Sequence, residues 1–284
     1  MKKGLVLEGG GMRGIFSAGV MDVLMENNIE FDGGIGVSAG AIFGCNYKSK
    51  QPGRVIRYNV KYCRNRHYVS YFNLLTTGDI FGVDFCYRKL PFELDIWDHD
   101  TFEKNPMEFY VVCTDVITGE PYYHKCTDGM YEDIKYMRAS GSMPLVSKVV
   151  SIGDWQFLDG SAADSIPLAY FQSIGYEKNL VILTRPKGYV KKKTPALPLM
   201  KLKYQKNYPG IVRAMERRHI MYNETLEYIE EQESEGNTFV IRPPRELRIS
   251  RTANDPEELK RIYRMGRHTA KKYLNRIKEF MTDV

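Results

Sequence analysis

No stretch of the 284-residue chain approaches the run of roughly 18 apolar residues that a membrane span requires. Only Gly4, Leu5, Val6 and Leu7 separate Met1-Lys2-Lys3 from Glu8, too few for the apolar segment of a secretory signal. Cysteine is scarce: Cys45, Cys63, Cys86, Cys113 and Cys126 are odd in number, scattered and without C-x-x-C spacing, so neither a disulfide framework nor a zinc knuckle is indicated. Internal repeats and recognised nucleic-acid-binding modules are also missing, so nucleic acid is not an expected partner despite a net charge of +6. These absences lead to the expectation of a soluble protein of the reducing cytosol, at most peripheral to a membrane. They leave the oligomeric state open.

What remains is enough for an enzyme-sized core: 43% of the residues are apolar, sufficient for one large domain or one domain with an appendage. Leu5, Val6 and Leu7, stopped by glycines and followed by Ile15, Phe16, Val20, Val23 and Leu24 at helical spacing, predict strand, tight turn, helix. "FDGGIGVSAG" (31–40) and the residues after it repeat that order, and two such units in succession argue for a parallel α/β sheet. Residues 54–100 are expected to be helical and aromatic. Two strands are expected around the T-G-E-P turn of 108–126, a helix over 130–140, a hairpin around Gly153-Asp154, a helix near 166–174 and a buried strand over 178–185. Lys178 to Met215 contains no acidic residue and is punctuated by Pro186, Pro195, Pro198 and Pro209, which reads as a loop or linker rather than a packed element. Beyond it a helix over 210–234, a strand "NTFVIRP" and a terminal helix are expected, the last opened by Asp255, Pro256 and Glu258 as a capping box. The charges of "EELKRIYRMGRHTAKKYLNRIKEF" suit a solvated or subunit-facing helix, and no chemistry is assigned there. The division expected is a catalytic domain over 1–185 and a basic linker with a mostly helical region over 186–284.

Two glycine-rich turns carry the chemistry. Gly9, Gly11 and Gly14 satisfy G-x-G-x-x-G, a cradle of backbone N–H groups suited to a dinucleotide pyrophosphate or to the oxyanion of a reacting ester. Gly36-Val37-Ser38-Ala39-Gly40 is G-x-S-x-G at a strand–helix junction, where a sharp turn lifts a serine hydroxyl clear of the backbone; an N-capping serine on a glycine-lined turn gives the same pattern. A dinucleotide fold wants an acid at the end of the second strand, whereas here Asp32 precedes that strand. Acyl transfer accounts for both turns at once. A serine nucleophile also needs a proton acceptor. Of His67, His99, His124, His219 and His268, none lies in a glycine-bounded loop after a buried strand, and His219 and His268 sit among arginines in predicted helices. Asp159, in "FLDGS" at a strand end, is the better candidate base, although an ordinary Asp-Gly turn would look the same.

Gly9-Gly10-Gly11-Met12-Arg13-Gly14, then Gly36 to Gly40, then Asp159-Gly160, in this order, resemble the patatin-like phospholipase family, especially its bacterial members, over about residues 4–185. The resemblance implies a mainly parallel sheet flanked by helices in three layers, here with a helical C-terminal extension. It also implies a Ser-Asp dyad of Ser38 and Asp159, an oxyanion hole from Gly9, Gly10 and Gly11, and no metal or organic cofactor. Met12, Arg13, Gly14, Gly36, Gly40 and Gly160 would support the motifs. The substrate class implied is a lipid or phospholipid ester, cleaved through an acyl-enzyme. Glu8, where many relatives have Asp, and Ser161, where Ala or Gly is commoner, depart from the pattern, and Ser161 is expected to narrow the space behind Asp159. "RASGSMP" (138–144) is expected to line the pocket. The aromatic residues from Tyr58 to Trp97 would wall an acyl-chain site, and the basic stretch with Val190, Leu197, Leu199, Met200 and Leu202 would suit an anionic membrane. The rival readings are a dinucleotide-binding oxidoreductase and a catalytically silent lipid-binding regulatory protein.

Overall fold

The computed structural model describes residues 1–282. In chain order its elements are β1 (Lys3–Leu7), α1 (Gly14–Glu26), β2 (Gly33–Val37), α2 (Ala39–Lys48), α3 (Arg54–Tyr62), α4 (Tyr71–Thr77), α5 (His99–Lys104), β3 (Glu108–Asp115), β4 (Pro121–Lys125), α6 (Tyr131–Ser140), β5 (Val150–Ile152), β6 (Trp155–Asp159), α7 (Leu168–Ser173), β7 (Lys178–Ile182), α8 (Leu197–Tyr204), α9 (Pro209–Ser234), β8 (Thr238–Ile241) and α10 (Pro256–Met281). Strand pairing runs β5-β6-β3-β2-β1-β7-β8, with β4 also on β3. The strands from β3 to β8 along this path are mutually parallel; β4, β5 and β6 are antiparallel additions.

Alternation along the central strands makes three layers. Leu5, Leu7, Leu180 and Ile182 turn to one side, into a core with Ile15, Phe16 and Leu24 of α1 and Leu259 and Ile262 of α10. Val6, Ile35, Val37 and Val181 turn to the other, against Leu168 and Phe171 of α7 and Tyr222 and Ile229 of α9. Both faces are covered, which is why these strands read as near-continuous apolar runs.

The C-terminal region differs from its expected form in three ways. First, part of the acid-free stretch is a packed helix: α8 buries Leu197, Met200 and Tyr204 in a core shared with Ile211, Val212 and Met215 of α9. Its lysines point outward together with the exposed Leu199 and Leu202, so the charge run concealed a packed helix. Second, α10 is no solvated helix. Leu259, Ile262, Gly266, Ala270 and Ile277 recur at spacings of three, four and seven on one face and pack on α1. The axes approach closely because neither helix carries a side chain at the crossing: a Cβ on Gly266 would lie 2.1 Å from the Phe16 carbonyl oxygen, and one on Gly19 2.2 Å from that of Tyr263. Third, β8 pairs in parallel with β7, so the sheet continues past residue 185. At the start of α10, Asp255 accepts from the Glu257 N–H at 3.1 Å rather than from that of Glu258, which instead pairs with Arg261.

Candidate active site

Register brings the two motifs together. β3 carries β4 on one edge, over Tyr110 to Thr114. Its other edge carries β2 as far as Val37 opposite Val112, and β6 from Asp159 opposite Cys113. The end of β2 and the end of β6 therefore meet head-on across consecutive residues of one strand. Ser38 follows Val37 directly, and its Oγ donates to Oδ2 of Asp159 at 2.8 Å, with both residues buried.

Ser38 holds φ +55°, a conformation that L residues rarely adopt and that is sustained only when its surroundings over-determine it. Those surroundings are tight. A Cβ on Gly36 would stand 2.4 Å from the Gly40 carbonyl oxygen, and one on Gly40 would stand 2.4 Å from that of Leu7. The end of α6 and the turn after it grip both partners: Ser140 Oγ accepts the Ser38 N–H at 2.8 Å, and the Ser142 carbonyl accepts the Asp159 N–H at 2.8 Å. "RASGSMP" thus does more than line the pocket. Oδ1 of Asp159 accepts the Ser161 N–H at 2.9 Å, and the Asp159 carbonyl accepts from Thr114 Oγ1 at 2.9 Å. Gly160 follows at a point where a Cβ would lie 2.1 Å from the Val112 carbonyl oxygen.

The glycine block lies on the same cleft. Gly9, Gly10 and Gly11 line it beside Ser38, and among the described residues their N–H groups have no acceptor, whereas the Met12 N–H donates to the Arg251 carbonyl at 3.2 Å. Gly14 opens α1 against Ala39, and Met12 is buried. Arg13 is also buried. Burial first, then Arg185 and Arg251, push its guanidinium down to about 10. Asp32 lies at the entrance of β2, where Oδ2 accepts the Lys3 N–H at 2.7 Å, so no acid ends that strand as a ribose ligand would.

Two cavities meet at the serine. A wide cleft of about 710 Å³ is lined by the glycine block, Ser38, Asp159 and residues 189–196, together with Arg218, Tyr222 and Arg251. A narrow apolar pocket is lined by Ile42, Phe43, Tyr58, Tyr68, Phe81 and Tyr87 and shares Gly11, Ser38 and Met143 with the cleft. Of the aromatic stretch, Trp97 packs instead on Phe102, with ring centroids 5.0 Å apart.

Sequence reasoning missed the contribution of α9. Glu8 Oε1 accepts from the Tyr222 hydroxyl at 2.6 Å and Oε2 from the Thr184 N–H at 2.5 Å. Arg218 donates through Nε to the Ser161 carbonyl at 2.5 Å and through Nη2 to Ser161 Oγ at 2.7 Å. The two departures from the family pattern are thus met by residues four apart on one helix. The Ser161 side chain accepts a guanidinium donor. A signal was present: Arg218 falls on the stripe Ile211, Met215, Tyr222, Ile229, where an apolar residue would be expected.

Comparison with known proteins agrees with the motifs. The family model described as patatin-like phospholipase matches residues 5–171, and one described as a domain of unknown function (DUF6363) matches residues 208–282. The uncharacterized protein YjjU of Escherichia coli is 25% identical over 289 aligned positions, spanning 98% of this chain and 79% of YjjU. The structure of VipD from Legionella pneumophila superposes with a TM-score of 0.48 at 13% identity, covering 96% of this chain and 67% of VipD. With the family match extending over more than half of its length, the chain belongs to the patatin-like phospholipases, hydrolases of lipid esters.

Proposed function

We propose that the chain is a serine acyl hydrolase that cleaves carboxylic esters of lipids through a Ser38–Asp159 dyad. The 2.8 Å bond from Ser38 Oγ to Asp159 Oδ2 carries this reading, because it gives the hydroxyl a proton acceptor with no histidine between them. As Oγ attacks the ester carbonyl carbon, its proton passes to Asp159. The carbonyl oxygen becomes an oxyanion facing the unpaired N–H groups of Gly9, Gly10 and Gly11, each such donor supplying on the order of 3 kcal/mol to the transition state. Collapse expels the alcohol, which takes the proton from Asp159, and leaves an acyl-enzyme on Ser38. Water, deprotonated by Asp159, adds to the acyl carbon. Expulsion of Oγ, which regains its proton, then releases the fatty acid. A fluorophosphonate should label the chain stoichiometrically, with the adduct mapping to the peptide that contains Ser38; labelling at another residue, or none, would remove the assignment. A dinucleotide enzyme would instead bind NAD(P)H and ignore the probe.

The rim of the cleft supports contact with an anionic bilayer. Tyr71 and Val190 line the cleft and are exposed, as are Leu75 on α4 and Leu199 and Leu202 on α8. Lys192 and Lys193 line the same cleft as Tyr71 and Val190. Apolar side chains bordered by lysines match a surface of negative lipids. Sedimentation with phosphatidylglycerol vesicles should exceed that with phosphatidylcholine vesicles and fall with salt, and L199E/L202E should abolish it. Equal binding to both vesicles refutes the electrostatic part. Among the described residues, no helix is long and apolar enough to cross a membrane.

A further inference from the structure

We propose that Lys191, Arg218 and Arg251, contributed by the chain beyond the family-matched segment, form with Arg13 an anion subsite beside Ser38 that takes the phosphate of a net-negative glycerophospholipid head group. This rests on the hydrolase reading above and assigns the two cavities: acyl chain to the apolar pocket, head group to the cleft.

Charge in the cleft is one-sided. Arg13, Lys191, Lys192, Lys193, Arg218 and Arg251 line it, against the carboxylates of Glu8 and Asp159. Both carboxylates are hydrogen-bonded only by neutral donors, Glu8 by Tyr222 and Thr184 and Asp159 by Ser38 and Ser161, so they offset two of these six positive charges and leave the lining net positive. Among the described residues, no ion pair is formed by Arg13, Lys191, Arg218 or Arg251. Arg13 is only 8% exposed, yet its Nε has no hydrogen-bond partner, and neither does the buried Nδ1 of His219 on the same wall. Glu8 offsets part of the burial cost of the Arg13 guanidinium without pairing with it, and an anion in the cleft relieves the remainder.

The Arg218 side chain and the backbones of Lys191 and Arg251 are held in place. The backbone of Lys191 exchanges two bonds with the Asn223 side chain of α9, at 2.8 and 3.1 Å, and its Nζ sits 4.2 Å from the Tyr222 ring centroid. Burial first, then Arg218, Arg251 and Arg13, push the Lys191 ammonium downward, while Glu8 acts against them. Arg251 is anchored through its carbonyl on the Met12 N–H, which sets it next to the glycine block. Arg218 is fixed by Ser161, with Nη1 left over. A phosphate oxygen is the group that such converging donors select, and a neighbouring choline cation would cancel the benefit.

The test uses short-chain lipids as monomers, so that no membrane surface contributes. For dihexanoylphosphatidylglycerol against dihexanoylphosphatidylcholine, kcat/KM should favour the anionic lipid by roughly tenfold or more, as one charge-assisted contact allows. In K191M/R251Q the ratio should fall to near unity; damage to the fold or the dyad would lower both rates together and leave it unchanged. Calorimetry with inorganic phosphate on the S38A chain, which needs no turnover, should show binding that K191M/R251Q removes. Phosphate binding without lipid preference would mean a site for free phosphate and overturn the head-group assignment. Turnover without either preference or phosphate binding overturns the subsite alone. If the parent chain hydrolyses no ester and takes no fluorophosphonate, the hydrolase reading fails, and the head-group assignment with it.

Discussion

Replacing Ser38 by alanine should lower ester hydrolysis by roughly four to six orders of magnitude, the scale seen when the nucleophile of a hydrolase is deleted. The substitution removes one oxygen and, with it, the hydrogen bond to Asp159 Oδ2. Backbone strain at φ +55° is shared by serine and alanine, so it does not change. The N–H of residue 38 still donates to Ser140 Oγ, and Asp159 keeps the Ser161 N–H on Oδ1. Circular dichroism and thermal unfolding should therefore remain close to those of the parent, while kcat for p-nitrophenyl butyrate collapses and fluorophosphonate labelling disappears. Parental turnover by this variant would exclude Ser38 as nucleophile.

Asp159→Asn should cost about 10⁴-fold in kcat, comparable to losses of the acid in histidine-containing triads. Asparagine fills the same volume, and its amide oxygen can still accept the Ser161 N–H. Facing Ser38, however, an NH₂ group donates where a carboxylate had accepted, so the hydroxyl turns away and loses its proton acceptor. KM should change little, because Asp159 meets the substrate only through Ser38. Since the charge being removed is buried, unfolding by urea should show stability held or raised. A fall in stability that parallels the loss of rate would identify a structural role instead.

The parts of the site legible in the sequence are those whose signals are contiguous. A strand, a glycine turn and a helix are coded within about a dozen residues, so Gly9 to Gly14 and Gly36 to Gly40 declare themselves. Asp159 carried a weaker local signal, a strand ending in Asp-Gly. Ser140 is 102 residues from its partner Ser38, and Tyr222 is 214 from Glu8. Contacts at such separation exist only once the sheet has assembled, and no local pattern codes for them. The same holds for β8, which is an ordinary short apolar run until β7 offers it an edge. In α10 charged positions dominate the sequence pattern, while burial is decided by a narrow stripe of Leu, Ile, Ala and Gly; in α8 the lysines and prolines around it hid the buried Leu197, Met200 and Tyr204. Charge counts alone misjudged both helices.

Because the serine lies where a cleft rich in cationic side chains meets an apolar pocket, the proposed reaction would place the two halves of a cleaved ester on different sides of it. In the proposed reaction the alcohol departs first, into the basic chamber, while the hydrocarbon tail stays lodged among Tyr58, Tyr68 and Phe81. Hydrolytic water then arrives through the door the alcohol has vacated.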